Sequence, residues 1–192
     1  YIIILNTTTM RKIFIASACF VLPFLLSAQH DAAIKEYNKI FTTYPFSDPN
    51  PIANPASSIY PYFRYDGFAD KPVQKEWKVV ELENDFIKLM ILPEVGGKVW
   101  NAYEKTTGKS FLYDNHVIKF RDVAMRGPWT SGGLEPNYGI IGHTPNCATP
   151  VDYITFKKPD GSVSCVVGVL DLLTQTSWRM EINLQKDKAY FT

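Results

Sequence analysis

From Glu76 onward, apolar and polar residues alternate in short runs, and each run stops at a cluster of turn-forming residues. Alternation of this kind marks strands that bury one face, and it excludes the 3.6-residue period of a surface helix. "EWKVVEL" and "DFIKLMIL" are two such runs, joined at "ENDF" in the manner of a hairpin, with Ile87, Leu89 and Ile91 on one side. "KVWNAY" follows the glycine pair Gly96–Gly97, and a turn "EKTTGKS" leads to "FLYDN" and "HVIKF". Further on, "VDYITFKK" and "SVSCVVGVLDL" flank the turn "PDG", with Val163, Cys165, Val167 and Val169 on one face. In "TSWRMEINL", Trp178, Met180, Ile182 and Leu184 alternate with polar residues, and "AYFT" begins a partner strand. Strand after strand with no helix between them predicts an all-β sandwich or barrel.

Upstream the pattern differs. "DAAIKEYNKIF" over residues 31–41 can form a short helix capped by Asp31, with Ile34, Tyr37 and Phe41 on one side. Five prolines between Pro45 and Pro61 then forbid a continuous helix or a central strand. Tyr44, Phe46, Tyr60, Tyr62, Phe63 and Tyr65 are too aromatic for a disordered linker, so the segment reads as an arm lying over the domain. Residues 1–28 read as upstream sequence plus a signal peptide: Arg11 and Lys12, an apolar run, and Ala28 at the cleavage point. The expected organisation is 1–28 leader, 29–75 helix and arm, and 76–192 β-sandwich. Export to the periplasm or the extracellular space follows, with no stable membrane span after cleavage.

Without the leader the chain carries 18 basic and 19 acidic residues, and a near-neutral chain gives no electrostatic reason to bind nucleic acid. Cys147 and Cys165 remain, and export permits a bridge between them; a buried free Cys165 in a core strand is the alternative. Aromatic residues make up 14% of the chain, which serves either a β-core or a stacking surface.

"RGPWTSGGLEPNYGIIGHTP", residues 126–145, gathers functional side chains on a segment with little strand character. Trp129 can close a core or offer its face to a sugar ring. Glu135 and Asn137 are two residues apart and share a side if the segment is extended, as suits paired hydroxyls. Turn chemistry around Pro136 is the alternative. Gly132 and Gly133 suit a pocket wall whose backbone approaches a ligand, or else a bulge or tight bend. His143 can serve as a general acid or base, or be a hydrogen-bonded structural residue. His116 reads as structural. No paired-histidine zinc spacing, P-loop, dinucleotide fingerprint or nucleophile elbow occurs, so neither a metal nor a cofactor is expected.

"LPEVGGKVW", the 126–145 stretch and "TPVDY" closely resemble the domain-of-unknown-function 5107 family, from about Tyr44 to the end of the chain. That family resembles a branch of the galactose-mutarotase-like (aldose 1-epimerase-like) superfamily, with "PEVGGKV" and "EKTTGKS" in the places of its early strand and hairpin. The resemblance implies a β-supersandwich with a concave sugar-binding face, of which this chain is the N-terminal portion. It also implies export, a Bacteroidetes-type source, and a longer protein that carries tetratricopeptide-like repeats. The arginine and paired-histidine motifs of the epimerases have no counterparts here, and their catalytic base comes late in the chain. The fold therefore carries over and the epimerase reaction does not.

The expectation is an exported domain that binds or processes carbohydrate, by glycoside hydrolase or epimerase chemistry if it is an enzyme. Glu135, His143 and Asp152 are the candidate catalytic groups, Asp152 orienting His143. Trp129, Asn137, Gly132, Gly133 and Arg126 are the candidate substrate contacts. The partners expected are a carbohydrate and the rest of the same protein. The alternative is a non-catalytic binding module or a structural domain of a larger repeat-containing protein.

Overall fold

The computed structural model describes residues 30–46, 68–123, 127–138, 146–171 and 175–192. Every regular element among them is a β-strand. They are β1 Ala33–Tyr44, β2 Val73–Glu83, β3 Ile87–Leu92, β4 Lys98–Glu104, β5 Lys109–Ser110, β6 Val117–Val123, β7 Gly127–Thr130, β8 Asp152–Lys157, β9 Val163–Asp171 and β10 Thr176–Leu184. The first seven form one sheet in the order β5-β4-β3-β2-β1-β6-β7, and the last three form a second in the order β10-β9-β8. Pairing is antiparallel except between β1 and β6, which makes the larger sheet mixed. The expected all-β sandwich is what the chain forms.

Two expectations about the N-terminal part are corrected. The helix over residues 31–41 is instead β1, paired with β2 from Ala33↔Glu83 to Thr43↔Val73. Ile34, Tyr37 and Phe41 have helical spacing, but they do not share a face. Ile34 packs in one core, and Phe41, with Tyr37 against it, in the other. A strand between two cores loses its clean alternation, and β-branched and aromatic residues at Ile40, Phe41, Thr42, Thr43 and Tyr44 favour the pleat. The sheet thus begins at Ala33, not at Glu76. "FLYDN" is not a strand; its backbone serves the next loop, with Tyr113 accepting from the Gly133 N–H. The leader and most of the proline-rich arm lie outside the described residues.

The larger sheet is curled. Its two ends meet where Leu134, just after β7, exchanges two backbone hydrogen bonds with Val99 of β4, at 2.9 and 3.1 Å. The convex face carries Val80, Leu82, Ile87, Leu89, Ile91 and Val99 against Val163, Cys165, Val167, Trp178, Ile182 and Leu184 of the smaller sheet. The concave face encloses a second core of Phe41, Trp77, Val79, Leu92, Trp100, Ile118 and Phe120. A bulge serves this division. Met90 pairs with Asn101 and Ile91 with Val99, so Trp100 is the extra residue of β4. Two residues opposite one is how a bulge re-aims side chains. Trp100 enters the concave core while Val99 and Ala102 stay in the convex one. Asn84 ties the sandwich at one end: its Nδ2 donates to the carbonyls of Gln185 and Lys188, and its Oδ1 accepts from the Phe86 and Ile87 amides.

Candidate functional site

The loop after β7 is held against β4 by its glycines. Gly133 has φ +68°, and a Cβ there would lie 2.5 Å from the Val99 carbonyl oxygen. Gly132 has φ +108°, and its Cβ would meet the Asn115 backbone nitrogen at 2.9 Å. The close approach that both permit is to the protein's own backbone, and it is what allows Leu134 to pair with Val99.

That closure brings Glu135 onto Lys98, whose side chain is 1% exposed. The Lys98 ammonium donates to the Thr130 carbonyl, lies 3.4 Å from Glu135 Oε2, and sits 5.0 Å from the centroid of the Trp129 ring. Trp129 Nε1 donates to the same Glu135 oxygen at 2.7 Å. Trp129 and Glu135 are therefore brought together, around a lysine that the sequence pattern had not singled out. Burial pulls the Lys98 ammonium below its ordinary range; Glu135 foremost, then Cys147, oppose that pull. Thr130 Oγ1 is buried beside this cluster without a hydrogen-bond partner.

Farther along the same concave face the sheet opens into a groove of about 350 Å³. Asn101 and Tyr103 of β4, Lys88 and Met90 of β3, Glu81 of β2, and Tyr37 and Lys39 of β1 line it. Their shared face follows from register: Tyr103 is opposite Lys88, Asn101 opposite Met90, and Met90 opposite Glu81. Glu81 accepts from the Tyr37 hydroxyl at 2.9 Å and pairs with Lys35 at 3.5 Å. Burial, then Glu81, push the Tyr37 hydroxyl up to about 12. Asn101 Oδ1 accepts from Ser110 Oγ at 3.2 Å, and its amide nitrogen has no protein partner among the described residues.

Asp152 lies elsewhere. It is exposed on β8 of the smaller sheet, in a groove of about 420 Å³ that crosses Gly168 toward Arg179. Those three residues form one row across the sheet. The structure does not bring Asp152 together with Glu135. Asn137 is exposed, and Arg126 and His143 lie outside the described residues. Cys147 and Cys165 are both buried and form no disulfide with each other, and burial pushes the Cys165 thiol up to about 12. Among the described residues, no group of three or more His, Cys, Asp or Glu could hold a metal ion, and no helix is long and apolar enough to cross a membrane.

Residues 54–192 match the family model described as domain of unknown function DUF5107. Among solved structures, the chain is similar to a TPR-domain containing protein from Parabacteroides distasonis ATCC 8503, with 28% sequence identity and a TM-score of 0.74. The match covers 82% of this chain and 28% of that protein, so the chain spans only a minor part of its relative's length.

Proposed function

The chain belongs to the DUF5107 family, and from that premise we propose that it is an exported carbohydrate-recognition domain of the galactose-mutarotase-like kind, whose ligand occupies the concave groove. The observation that carries this reading is the groove's composition. Two tyrosines, an amide with an unused donor, two ammonium groups and a thioether converge on one open concave face. Sugars are held by that mixture: flat apolar surface beneath the ring and polar groups at its hydroxyls.

Recognition is favoured over glycosidic cleavage or epimerisation by the state of Glu135. Its Oε2 takes a hydrogen bond from Trp129 and the charge of Lys98. A general acid or base needs a carboxyl that can reach the substrate's proton. The test is calorimetric titration of the folded chain with a panel of oligosaccharides, alongside Asn101→Ala and Tyr103→Ala. Saccharide binding that either substitution weakens tenfold or more, with unchanged thermal unfolding, supports the reading. Binding of no saccharide, or binding indifferent to both substitutions, overturns it.

A further inference from the structure

Resting on that recognition reading, we infer that the groove takes an anionic oligosaccharide, one whose carboxylate or sulfate groups are met by Lys39 and Lys88. Lys35, Lys78, Lys98, Lys105 and Lys158 each lie within 3.5 Å of a glutamate carboxylate. Lys39 and Lys88 do not pair with any carboxylate among the described residues. The Lys39 ammonium sits 4.9 Å over the Phe41 ring. Lys88 stands opposite Glu83 in the β2–β3 ladder, the position from which a cross-strand ion pair would form. Glu83 is instead held by Lys35 and Lys105, each at 2.9 Å. The carboxylate that lines the groove, Glu81, is engaged by Tyr37 and Lys35.

The two glutamates nearest in register to these ammonium groups, Glu81 and Glu83, are therefore committed elsewhere. The groove presents two positive charges and the free Asn101 amide donor, while its one carboxylate is already bound. Such an arrangement complements a ligand rich in acceptors and negative charge.

Length narrows the class further. Lys39 pairs with Trp77 on β2, and Lys88 pairs with Glu83 on the same strand. Trp77 to Glu83 is six steps along β2, about 20 Å at ~3.3 Å per residue. Two lysines whose backbone positions are so offset, with Tyr37, Met90, Asn101 and Tyr103 lining the same groove, fit an oligosaccharide with repeated anionic groups better than a single sugar.

The experiment titrates the folded chain with four probes at matched salt: a galacturonate tetramer, a chondroitin sulfate tetrasaccharide, cellotetraose and a glutamate tetrapeptide. Lys39→Gln and Lys88→Gln are run beside the parent chain. The expected result is binding of at least one anionic saccharide, tenfold or more tighter than cellotetraose, with each lysine substitution weakening it about tenfold. Binding of the galacturonate shows that carboxylates suffice, and binding of the chondroitin probe that is lost on its desulfation assigns the anion as sulfate. Equal binding of cellotetraose refutes the anionic inference and leaves sugar recognition standing. Binding of none of the saccharides refutes both. Equal binding of the peptide shows charge attraction without sugar recognition, and also refutes the inference.

Discussion

Glu135→Gln separates the two roles open to this carboxylate. The substitution preserves shape and leaves an oxygen to accept from Trp129 Nε1, but it removes the charge that faces Lys98. Lys98 is 1% exposed and cannot turn to water, whereas Glu135 is 12% exposed. Removing one partner of a buried pair typically costs about 3–5 kcal/mol, because the other charge is left uncompensated. Partial solvent access at Glu135 places the expected loss near the lower end, about 3 kcal/mol. For a domain of this size such a loss lowers Tm by roughly 6–12 °C. Circular dichroism melts and urea unfolding would measure it.

Two companions make the reasoning specific. Lys98→Met leaves a glutamate that Trp129 still serves and that water can reach, so it should cost less than Glu135→Gln. The double variant removes both members of the Lys98–Glu135 pair and should recover part of the loss, with a coupling of about 1–3 kcal/mol in the cycle. The pH dependence has a definite sign. A lysine lowered in the native state binds its proton more weakly there than in the unfolded chain. The native state should therefore gain stability as pH rises from the lowered value toward the ordinary 10.5, and Lys98→Met should remove that gain. Glu135→Gln within about 0.5 kcal/mol of the parent would refute the ion-pair account. If saccharide binding were lost in that same stable variant, Glu135 would be a ligand contact instead.

The remaining predictions concern the frame of the site. Lys105 first, then Lys35, hold the Glu83 carboxyl down to about 2, so the stability it contributes is present above its ordinary 4.5 and is lost as pH falls toward 2. Glu83→Gln should flatten the acid limb of a Tm-versus-pH curve over that window, and an unchanged limb would count against the pairing. Gly133→Ala should destabilise by about 2 kcal/mol or more, since a left-handed φ and a contact with the Val99 carbonyl must both be relieved. Faster hydrogen exchange at Val99 and Leu134 would locate that damage at the sheet closure, and parent-like exchange and stability would refute it.

How much of this was legible in the sequence depended on how each strand is covered. In β9, Val163, Cys165 and Val167 lie in the convex core while Ser164 and Val166 alternate with them, so period two is plain. In β1, the residues of both faces find apolar partners, and the accidental spacing of Ile34, Tyr37 and Phe41 imitates a helix. Trp100 was readable as a strand residue but not as a bulge, because the displaced register appears only when β3 is laid beside β4. Lys98 was hidden by its type. A lysine at the head of a strand reads as solvated, and its partner lies 37 residues on, across a closure made by two glycines. The "GGKVW" context was the available signal: a lone charge pressed between glycines and core residues asks for a counter-charge.

The same closure explains why one concave face holds two kinds of polar residue. Where β7 and its following loop return to β4, polar groups are sealed in and must satisfy one another. Lys98, Trp129, Glu135 and the Thr130 carbonyl do so within a single cluster. Beyond the reach of that loop, no described residue covers the groove between β1 and β4, and Asn101, Lys88 and Lys39 keep donors that no described carboxylate or carbonyl takes up. A domain that needed only stability could have turned Lys88 to Glu83, its cross-strand neighbour. Glu83 is instead shared by two lysines, one from β1 and one from the turn after β4. The carboxylate thus fastens β1 to the turn after β4 and leaves Lys88 without a carboxylate partner among the described residues. The recognition surface is accordingly expected on the open half of the face, and Gly133 and Leu134 contribute to it by closing the sheet onto Val99 of β4.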